Sequence, residues 1–235
     1  MRTEQRADRT ARPHLSDRAA EYLRAAIMAG DLEPGRTVRP EWLGAELGIS
    51  ATPAREGMQK LAVEGFLTAI PGAGFVVSEL TPDDIRDLFL VQALIAGELA
   101  ARAAASDDDA DRDELRAIHH ELIAAAARHD VGLLEERNHA FHRHLHRMGG
   151  SPKLAWALGL MTRYVPRRFY ATIDGWPEAT VNDHGRILEA VLAHDAAEAR
   201  SAAHEHIRHA GELLAEHFGR ITRDGATRRA EGGTS

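Results

Sequence analysis

The chain has 235 residues, of which 44% are hydrophobic, a formal net charge of -7 and no cysteine. Its length and apolar content predict two folded domains. The acidic balance argues against nucleic-acid binding over the whole surface, because such binding uses Lys and Arg to neutralise phosphates. The absence of cysteine excludes disulfides, thiolate metal sites and cysteine nucleophiles. The longest apolar run, 88–97, is about half the length of a membrane-spanning helix, so we expect a soluble cytoplasmic protein without membrane association.

The N-terminal third of the chain shows three helical patterns followed by two short β-rich runs. The helices are predicted from Leu15 to Gly30, from Glu41 to Leu47, and from a cap at Ser50 or Thr52 to Gly65. The runs "FLTAI" and "FVVSE" flank a Pro-Gly-Ala-Gly turn, which predicts a hairpin. Three helices and a hairpin indicate a winged helix-turn-helix domain over residues 15–78, preceded by a disordered, Arg-rich arm over residues 1–14.

The rest of the chain contains helical patterns and no convincing strand. The predicted helices cover 82–104, 111–128, 131–148, 152–171, 177–194 and 196–218. They indicate an all-helical domain over residues 82–218, joined by a linker at 79–81 and followed by a disordered tail at 219–235. The fold class is therefore mainly α: an N-terminal winged helix-turn-helix with a small β-hairpin wing, and a C-terminal helical bundle.

The third predicted helix places Ser50, Thr52 and Arg55 at its N-terminal end, where a recognition helix presents groups to DNA. Hydroxyl groups and helix-terminal amides bind phosphates without a cationic side chain, and one Arg can bond guanine bidentately. The low charge of this helix is therefore compatible with DNA binding. A purely structural helix is the alternative.

The residues from Ala26 to Val77, including "AIMAGDLEPGR" and "LGISATPAREGMQKL", resemble the DNA-binding domain of the GntR family. The resemblance implies binding to a double-stranded DNA operator. It places Thr52 and Arg55 at DNA-contacting positions, and Gly72 and Gly74 at a wing tip that can approach the minor groove.

The sequence departs from the family pattern at Ala51, where an Arg is usual. A missing cation weakens nonspecific affinity. We therefore expect Arg36 and Arg39 to add phosphate contacts, and a homodimer to double the contacts on an inverted-repeat operator.

Four residues of the helical half are candidate metal ligands. Asn138 and His142 are four residues apart and share a helix face, while His184 and His206 lie on two further predicted helices. Imidazoles commonly bind zinc and nickel, although spacing alone leaves packing or surface roles open. We interpret ten other histidines as polar surface residues: His119, His120, His129, His139, His144, His146, His194, His204, His209 and His217.

The stretches "RNHAFHRHLHRMGGSPKL" and "NDHGRILEAVLAHDAAEARSAAHEHI" resemble the FCD ligand-binding domain of the FadR subgroup of GntR regulators. The resemblance implies that Asn138, His142, His184 and His206 hold a divalent metal, most often zinc or nickel, beneath a small carboxylate effector. Asn138 stands where many members have Asp, so it brings no negative charge to the ion.

The effector's counter-charges are predicted at Arg163 and Arg167, four residues apart on one helix face, because Arg binds carboxylates bidentately. The alternative is that both are exposed helix cations without a ligand. The sequence thus predicts a homodimeric DNA-binding transcriptional regulator, a repressor, controlled by a small organic acid, and not an enzyme. One alternative is a sensor without metal, whose histidines bind the effector directly. Another is a metal-dependent hydrolase, since a three-histidine site with an open position can activate water.

Overall fold

A computed structural model describes residues 14–162, 165, 170 and 175–232, with side chains up to residue 220. The chain divides into two compact units, Met1–Leu80 and Thr81–Ser235. The predicted arm, apart from His14, lies outside the described residues. Within the described ranges no helix is both long and apolar enough to cross a membrane.

The first unit combines helices with a small sheet. Its elements are α1 (Leu15–Met28), β1 (Thr37–Val38), α2 (Pro40–Leu47), α3 (Ala51–Val63), β2 (Leu67–Ile70) and β3 (Gly74–Val77). The strands are antiparallel in the order β1-β3-β2. The predicted hairpin is confirmed as β2 and β3. The sequence did not predict β1, because a two-residue strand is too short to show alternation.

One face of α3 is fixed by its packing against α1. A Cβ added at Gly57 would lie 2.7 Å from the Cβ of Ala19, so only glycine allows this approach. Met58 and Leu61 are fully buried on the same face. An ion pair of 2.5 Å between Lys60 and Asp17 adds a link at the edge of the contact. The opposite face of α3, which carries Arg55, is left in solvent.

The second unit is helical throughout its described residues. Its elements are α4 (Pro82–Ala104), α5 (Asp109–Ala127), α6 (Val131–Met148), α7 (Pro152–Met161), α8 (Trp176–Leu192) and α9 (Ala196–Gly232). At the start of α4, Thr81 and Asp84 form a reciprocal capping box, which satisfies two backbone N–H groups. The last helix continues past residue 218, where the sequence placed the end of the helical domain.

The predicted helix over residues 152–171 is wrong in extent, since α7 ends at Met161. Proline lacks a backbone N–H and disfavours helical geometry in the preceding residue. Pro166 therefore argues against one continuous helix, although the periodic apolar residues on either side of it suggest one.

The core of the second unit positions one face each of α6, α8 and α9. Its largest buried side chains come from α5, α6 and α8: Leu115, Phe141, Leu145, Ile187 and Val191. Small residues bring α4 and α9 together. A Cβ at Gly97 would lie 2.9 Å from the carbonyl oxygen of Arg200, and one at Gly211 would lie 2.5 Å from the Cβ of Phe89. The helix carrying His206 is thus closely fitted to α4.

Candidate functional site

Three histidines from three helices converge in the second unit. His142 lies on α6, His184 on α8 and His206 on α9. Their Nε2 atoms form a nearly equilateral triangle: 3.2 Å between His142 and His184, 3.3 Å between His184 and His206, and 3.2 Å between His206 and His142. The side chain of His184 is fully buried and that of His206 is 5% exposed. The sequence-predicted histidines are therefore brought together at one point.

Aromatic packing against the core holds the imidazoles in place. The ring of His184 stacks on Phe141, with centroids 4.2 Å apart and planes 12° apart. The ring of His142 stacks on that of His206 at 5.1 Å. Phe141 is completely buried among the apolar residues of α6 and α8. The cluster is thus built on rigid helices rather than loops, which favours a fixed geometry.

Burial of the cluster disfavours the charged form of His142 and of His184. Loss of hydration, followed by the nearness of the other imidazoles, lowers the pKa of His142 and of His184 well below their ordinary value. A neutral imidazole has one nitrogen without a proton, and that nitrogen is the atom that binds a metal. The Nε2 atoms of His142 and His184, which meet that of His206, therefore offer a donor set for a cation.

The distances fit a zinc ion. Zinc sites have Zn–N distances of about 2.0–2.1 Å and tetrahedral angles, which place two nitrogen ligands about 3.3 Å apart. The observed separations of 3.2–3.3 Å match this spacing. Imidazole ligands also suit nickel, so the residue types leave both metals open. A buried group of His142, His184 and His206 is consistent with a metal site.

Of the other predicted site residues in this unit, the structure describes Asn138 but neither arginine. Asn138 is half-buried on α6, one helical turn before His142, which places both on the same side of the helix. Its role as the fourth ligand stays a prediction. Arg163 and Arg167 lie outside the described residues.

The cluster includes a carboxylate that the sequence reasoning missed. Oδ2 of Asp183 lies 3.2 Å from Nδ1 of His206 and 3.2 Å from Nδ1 of His209. Partial burial raises the pKa of Asp183, but the hydrogen bonds and charges of the two imidazoles outweigh it and leave the pKa below its ordinary value. In the sequence, the only indication of this role was that Asp183 directly precedes the candidate ligand His184.

Among the histidines interpreted as surface residues, His119 and His144 are buried and His146 is half-buried, so that interpretation is wrong for them. Nε2 of His119 lies 3.3 Å from the carbonyl oxygen of Val181, and Nε2 of His144 lies 2.8 Å from that of Asp111. Burial lowers the pKa of His146 to about 4. Within the described part of the chain its Nε2 has no hydrogen-bond partner. Each of these histidines has a polar residue beside it in the sequence, and the apolar pattern did not indicate that they are removed from solvent.

In the first unit, the N-terminal end of α3 presents uncommitted polar groups. Ser50 occupies the N-cap position, yet its side chain makes no capping hydrogen bond. Ser50, Thr52 and Arg55 are all exposed. A hydroxyl, the first N–H groups of a helix and a guanidinium are thus grouped on one surface, a combination suited to phosphates and base edges.

A second exposed cationic feature lies beside β1. Arg36, Arg39 and Trp42 line an open groove of about 370 Å³ together with the two residues of β1. The guanidinium of Arg36 lies over the indole of Trp42, 5.6 Å from its centroid. Both arginines are exposed.

The wing turn uses glycines whose backbone angles favour them. Gly72 has φ +73° and Gly74 has φ +108°, both in the region that side chains disfavour. A Cβ at Gly74 would also lie 2.8 Å from the carbonyl oxygen of Val38. A glycine at position 74 is therefore needed for a structural purpose independent of DNA binding, since it lets β3 approach the end of β1.

Family comparisons agree with this division. The model of bacterial regulatory proteins of the gntR family matches residues 15–77, and the FCD domain model matches residues 87–209. The chain belongs to the GntR family of transcriptional regulators. Its C-terminal FCD domain places it in the FadR-like subgroup. This family consists of regulators rather than enzymes, which answers the hydrolase alternative.

Individual relatives cover most of the chain. An uncharacterized HTH-type transcriptional regulator in an unstable DNA locus of Streptomyces ambofaciens is 33% identical over 193 residues, or 79% of each protein. The HTH-type transcriptional repressor GlaR of Escherichia coli is 24% identical, over 79% of this chain and 89% of that protein. The E. coli McbR/YncC structure has a TM-score of 0.60 at 20% identity and covers 89% of this chain and 98% of its own, which shows the fold.

Proposed function

We propose that this GntR-family regulator is a homodimeric repressor whose helical domain binds a small carboxylate effector beside a divalent metal, zinc or nickel. The convergence of three Nε2 atoms at 3.2–3.3 Å carries the proposal. The repressor assignment is supported by GlaR of E. coli, a transcriptional repressor that is similar to this protein over most of the chain.

The residues proposed to hold the metal are His142, His184 and His206, with the amide oxygen of Asn138 as a fourth ligand. Imidazole and amide groups bind a metal as neutral ligands, so a bound divalent ion would keep its full charge and attract an anion. The chain's own contribution is to fix three rings on rigid helices and to exclude water from the buried side of the cluster. His184, which is fully buried, forms that side.

The proposed effector is a small organic acid bound on the cluster by Arg163 and Arg167. A guanidinium binds a carboxylate through two parallel hydrogen bonds and fixes its orientation as well as its position. The two arginines are four positions apart in the sequence and both lie outside the described residues, so their approach to the cluster is part of the proposal.

For operator binding, we propose that Arg55 contacts a base and that Ser50 and Thr52 contact phosphates. Arg36, Arg39 and the wing glycines Gly72 and Gly74 are proposed to contact the DNA backbone and minor groove. A two-fold symmetric dimer reads an inverted repeat, because each subunit meets one half-site in the same orientation. Two copies of a weakly cationic surface together supply the affinity that one lacks.

Effector control requires a preference between two dimer geometries. An effector shifts their populations only if it binds one better than the other, and coupling between sites is typically about 1–3 kcal/mol. Residues 79–81 link the DNA-binding domain to the helical domain along the chain. We propose that effector binding changes the separation of the two DNA-binding domains through it.

The deciding experiment measures metal and DNA on the same preparation. The full chain is purified without chelator and its zinc and nickel are quantified by elemental analysis, while an operator is selected from random duplexes and measured by gel shift. The proposal expects about one metal per chain and release of the operator by one of a panel of small carboxylates. A metal-free chain that responds to a carboxylate would replace it with the sensor that uses the histidines directly.

A further inference from the structure

A carboxylate lies within hydrogen-bond distance of the outward nitrogen of one histidine in the cluster. Asp183 lies on α8 directly before His184, and its Oδ2 is 3.2 Å from Nδ1 of His206 on α9. The same oxygen is 3.2 Å from Nδ1 of His209, one turn further along α9. The side chain of Asp183 is 28% exposed and that of His206 is 5% exposed. The carboxylate thus stands between solvent and a buried ring.

This contact determines which nitrogen of His206 carries the proton. An ionised carboxylate only accepts hydrogen bonds, so Nδ1 of His206 is the donor. A neutral imidazole with its proton on Nδ1 has a lone pair on Nε2. That Nε2 lies 3.3 Å from the Nε2 of His184 and 3.2 Å from that of His142. The Asp183 contact therefore directs the lone pair of His206 into the cluster.

The other imidazole of this helix pair is held differently. Nδ1 of His184 is buried and, in the described part of the chain, has no hydrogen-bond partner. His184 is oriented instead by stacking on Phe141 at 4.2 Å. His206 therefore combines a fixed tautomer with a neighbouring negative charge, which increases the basicity of a ligating imidazole.

We propose that Asp183 is a positioning residue of the metal site, which fixes the Nδ1–H tautomer of His206 and supplies the negative charge that Asn138 lacks. This role rests on the metal site proposed above. Removal of a carboxylate that hydrogen-bonds a ligating histidine typically weakens metal affinity 10–100-fold. Asp183 acts through His206 and does not itself need to reach the ion.

The test uses the full chain stripped of metal and titrated with Zn²⁺ against a chromogenic chelator. Asp183→Asn keeps the shape but offers an amide that can donate to Nδ1, which favours the wrong tautomer of His206, as substitution of the carboxylate does in serine-protease triads. We expect zinc affinity to fall about 10–100-fold. His209→Gln removes the other partner of Asp183 and is the matched control, with affinity expected to stay at the wild-type value.

A second readout does not depend on a variant folding. In ¹⁵N-labelled wild-type protein without metal, two-dimensional NMR of the imidazole nitrogens reports which one is protonated. The proposal expects His206 to carry its proton on Nδ1 and to lose this preference in Asp183→Asn.

The outcomes distinguish a failure of the metal site from a failure of the role of Asp183. If wild-type protein binds neither Zn²⁺ nor Ni²⁺, the metal part of the proposed function is overturned and the role of Asp183 with it. If wild-type protein binds zinc and Asp183→Asn binds it equally well, only the positioning role is overturned. A proton on Nε2 of His206 in the wild type would overturn that role regardless of the titration.

Discussion

Phe141 of α6 and His184 of α8 lie face to face, with ring centroids 4.2 Å apart and planes inclined by 12°. Phe141 also meets the ring of His142 edge-on at 6.0 Å. One fully buried side chain of the apolar core therefore contacts two members of the histidine cluster. The stability of the domain and the geometry of the site are linked through this residue.

Replacing Phe141 by Ala should lower both stability and zinc affinity. Loss of a fully buried Phe side chain costs about 3–5 kcal/mol of unfolding free energy, and His184 loses the surface against which it is oriented. Guanidinium denaturation and zinc competition measure the two effects. Phe66→Ala, in the first unit, is the control: it should destabilise that unit and leave zinc affinity unchanged. Undiminished zinc binding by Phe141→Ala would contradict an orienting role for the ring.

Arg55→Ala should abolish specific operator binding while leaving the melting temperature nearly unchanged, because the side chain is exposed on α3. A good base contact contributes about 1–3 kcal/mol of discrimination, and a dimer loses it twice. Gel shifts at one fixed salt concentration test this. Lys60→Ala removes the same charge from the same helix, but Lys60 is committed to Asp17, so operator affinity should be largely retained. Equal effects of the two variants would reduce Arg55 to a nonspecific cation.

Asn138→Asp should raise metal affinity at least about tenfold, or ~1.4 kcal/mol, because a carboxylate attracts a divalent ion more strongly than an amide oxygen does. It should also make metal retention less dependent on the effector. Competition against a chromogenic chelator, with and without carboxylate, measures both. His139→Asp places the same charge on the neighbouring, exposed position and should have little effect. If the Asn138 variant binds metal no better than the wild type, Asn138 is not a ligand.

Replacing Arg163 and Arg167 together by Ala should weaken carboxylate binding without loss of metal. The two guanidinium groups are the proposed partners of the anion, while the metal is proposed to be held by other residues. Calorimetry with a panel of mono- and dicarboxylates on metal-loaded protein gives the affinity. A double variant of Arg102 and Arg116, which are exposed on α4 and α5, controls for the lost charge. Unchanged affinity would mean that the anion binds elsewhere in the domain.

The metal-free protein should lose stability as the pH falls below about 6.5, the ordinary pKa of histidine. The pKa of His146 is about 4 in the folded chain, so between these values the unfolded chain takes up a proton that the folded chain does not. Each pH unit in this window then lowers the free energy of unfolding by at most about 1.4 kcal/mol per such histidine. Burial shifts the pKa of His142 and of His184 in the same direction.

His146→Leu isolates one contribution to this pH dependence. Denaturation curves at pH 7.5, 6 and 5 should show a shallower loss of stability than in the wild type, since one proton-binding difference is removed. His120→Leu, at an exposed position, serves as the comparison. An unchanged slope for His146→Leu would mean that His146 titrates normally in the folded chain.

The sequence predicted the fold wherever a periodic pattern was long enough. The helix predicted over 82–104 has the observed bounds of α4, since its periodic apolar pattern is long and the structure adds a capping box at Thr81. It missed β1, which has two residues, and extended α7 across Pro166. A periodic apolar pattern indicates which face of a helix is buried. It does not show whether a proline within the pattern interrupts the helix.

The candidate site was predictable in part. His142, His184 and His206 were predicted from the resemblance to the FCD domain, since spacing alone left packing or surface roles open, and the structure brings the three together. Asp183 was not predicted, because its partner is on another helix and pairing between α8 and α9 depends on rotation about each axis. The burial of His144 was missed for the same reason: its partner, the carbonyl of Asp111, lies on α5.

The close fit of α4 against α9 joins the two helices into one mechanical body. At Gly97 and Gly211 there is no room for one added carbon, so neither helix slides along the other without first separating from it. His206 lies on α9 between these two contacts, and α4 begins directly after the linker. With 23 residues, α4 is about 34 Å long. Any displacement of α9 at His206 would therefore move α4 with it along this length.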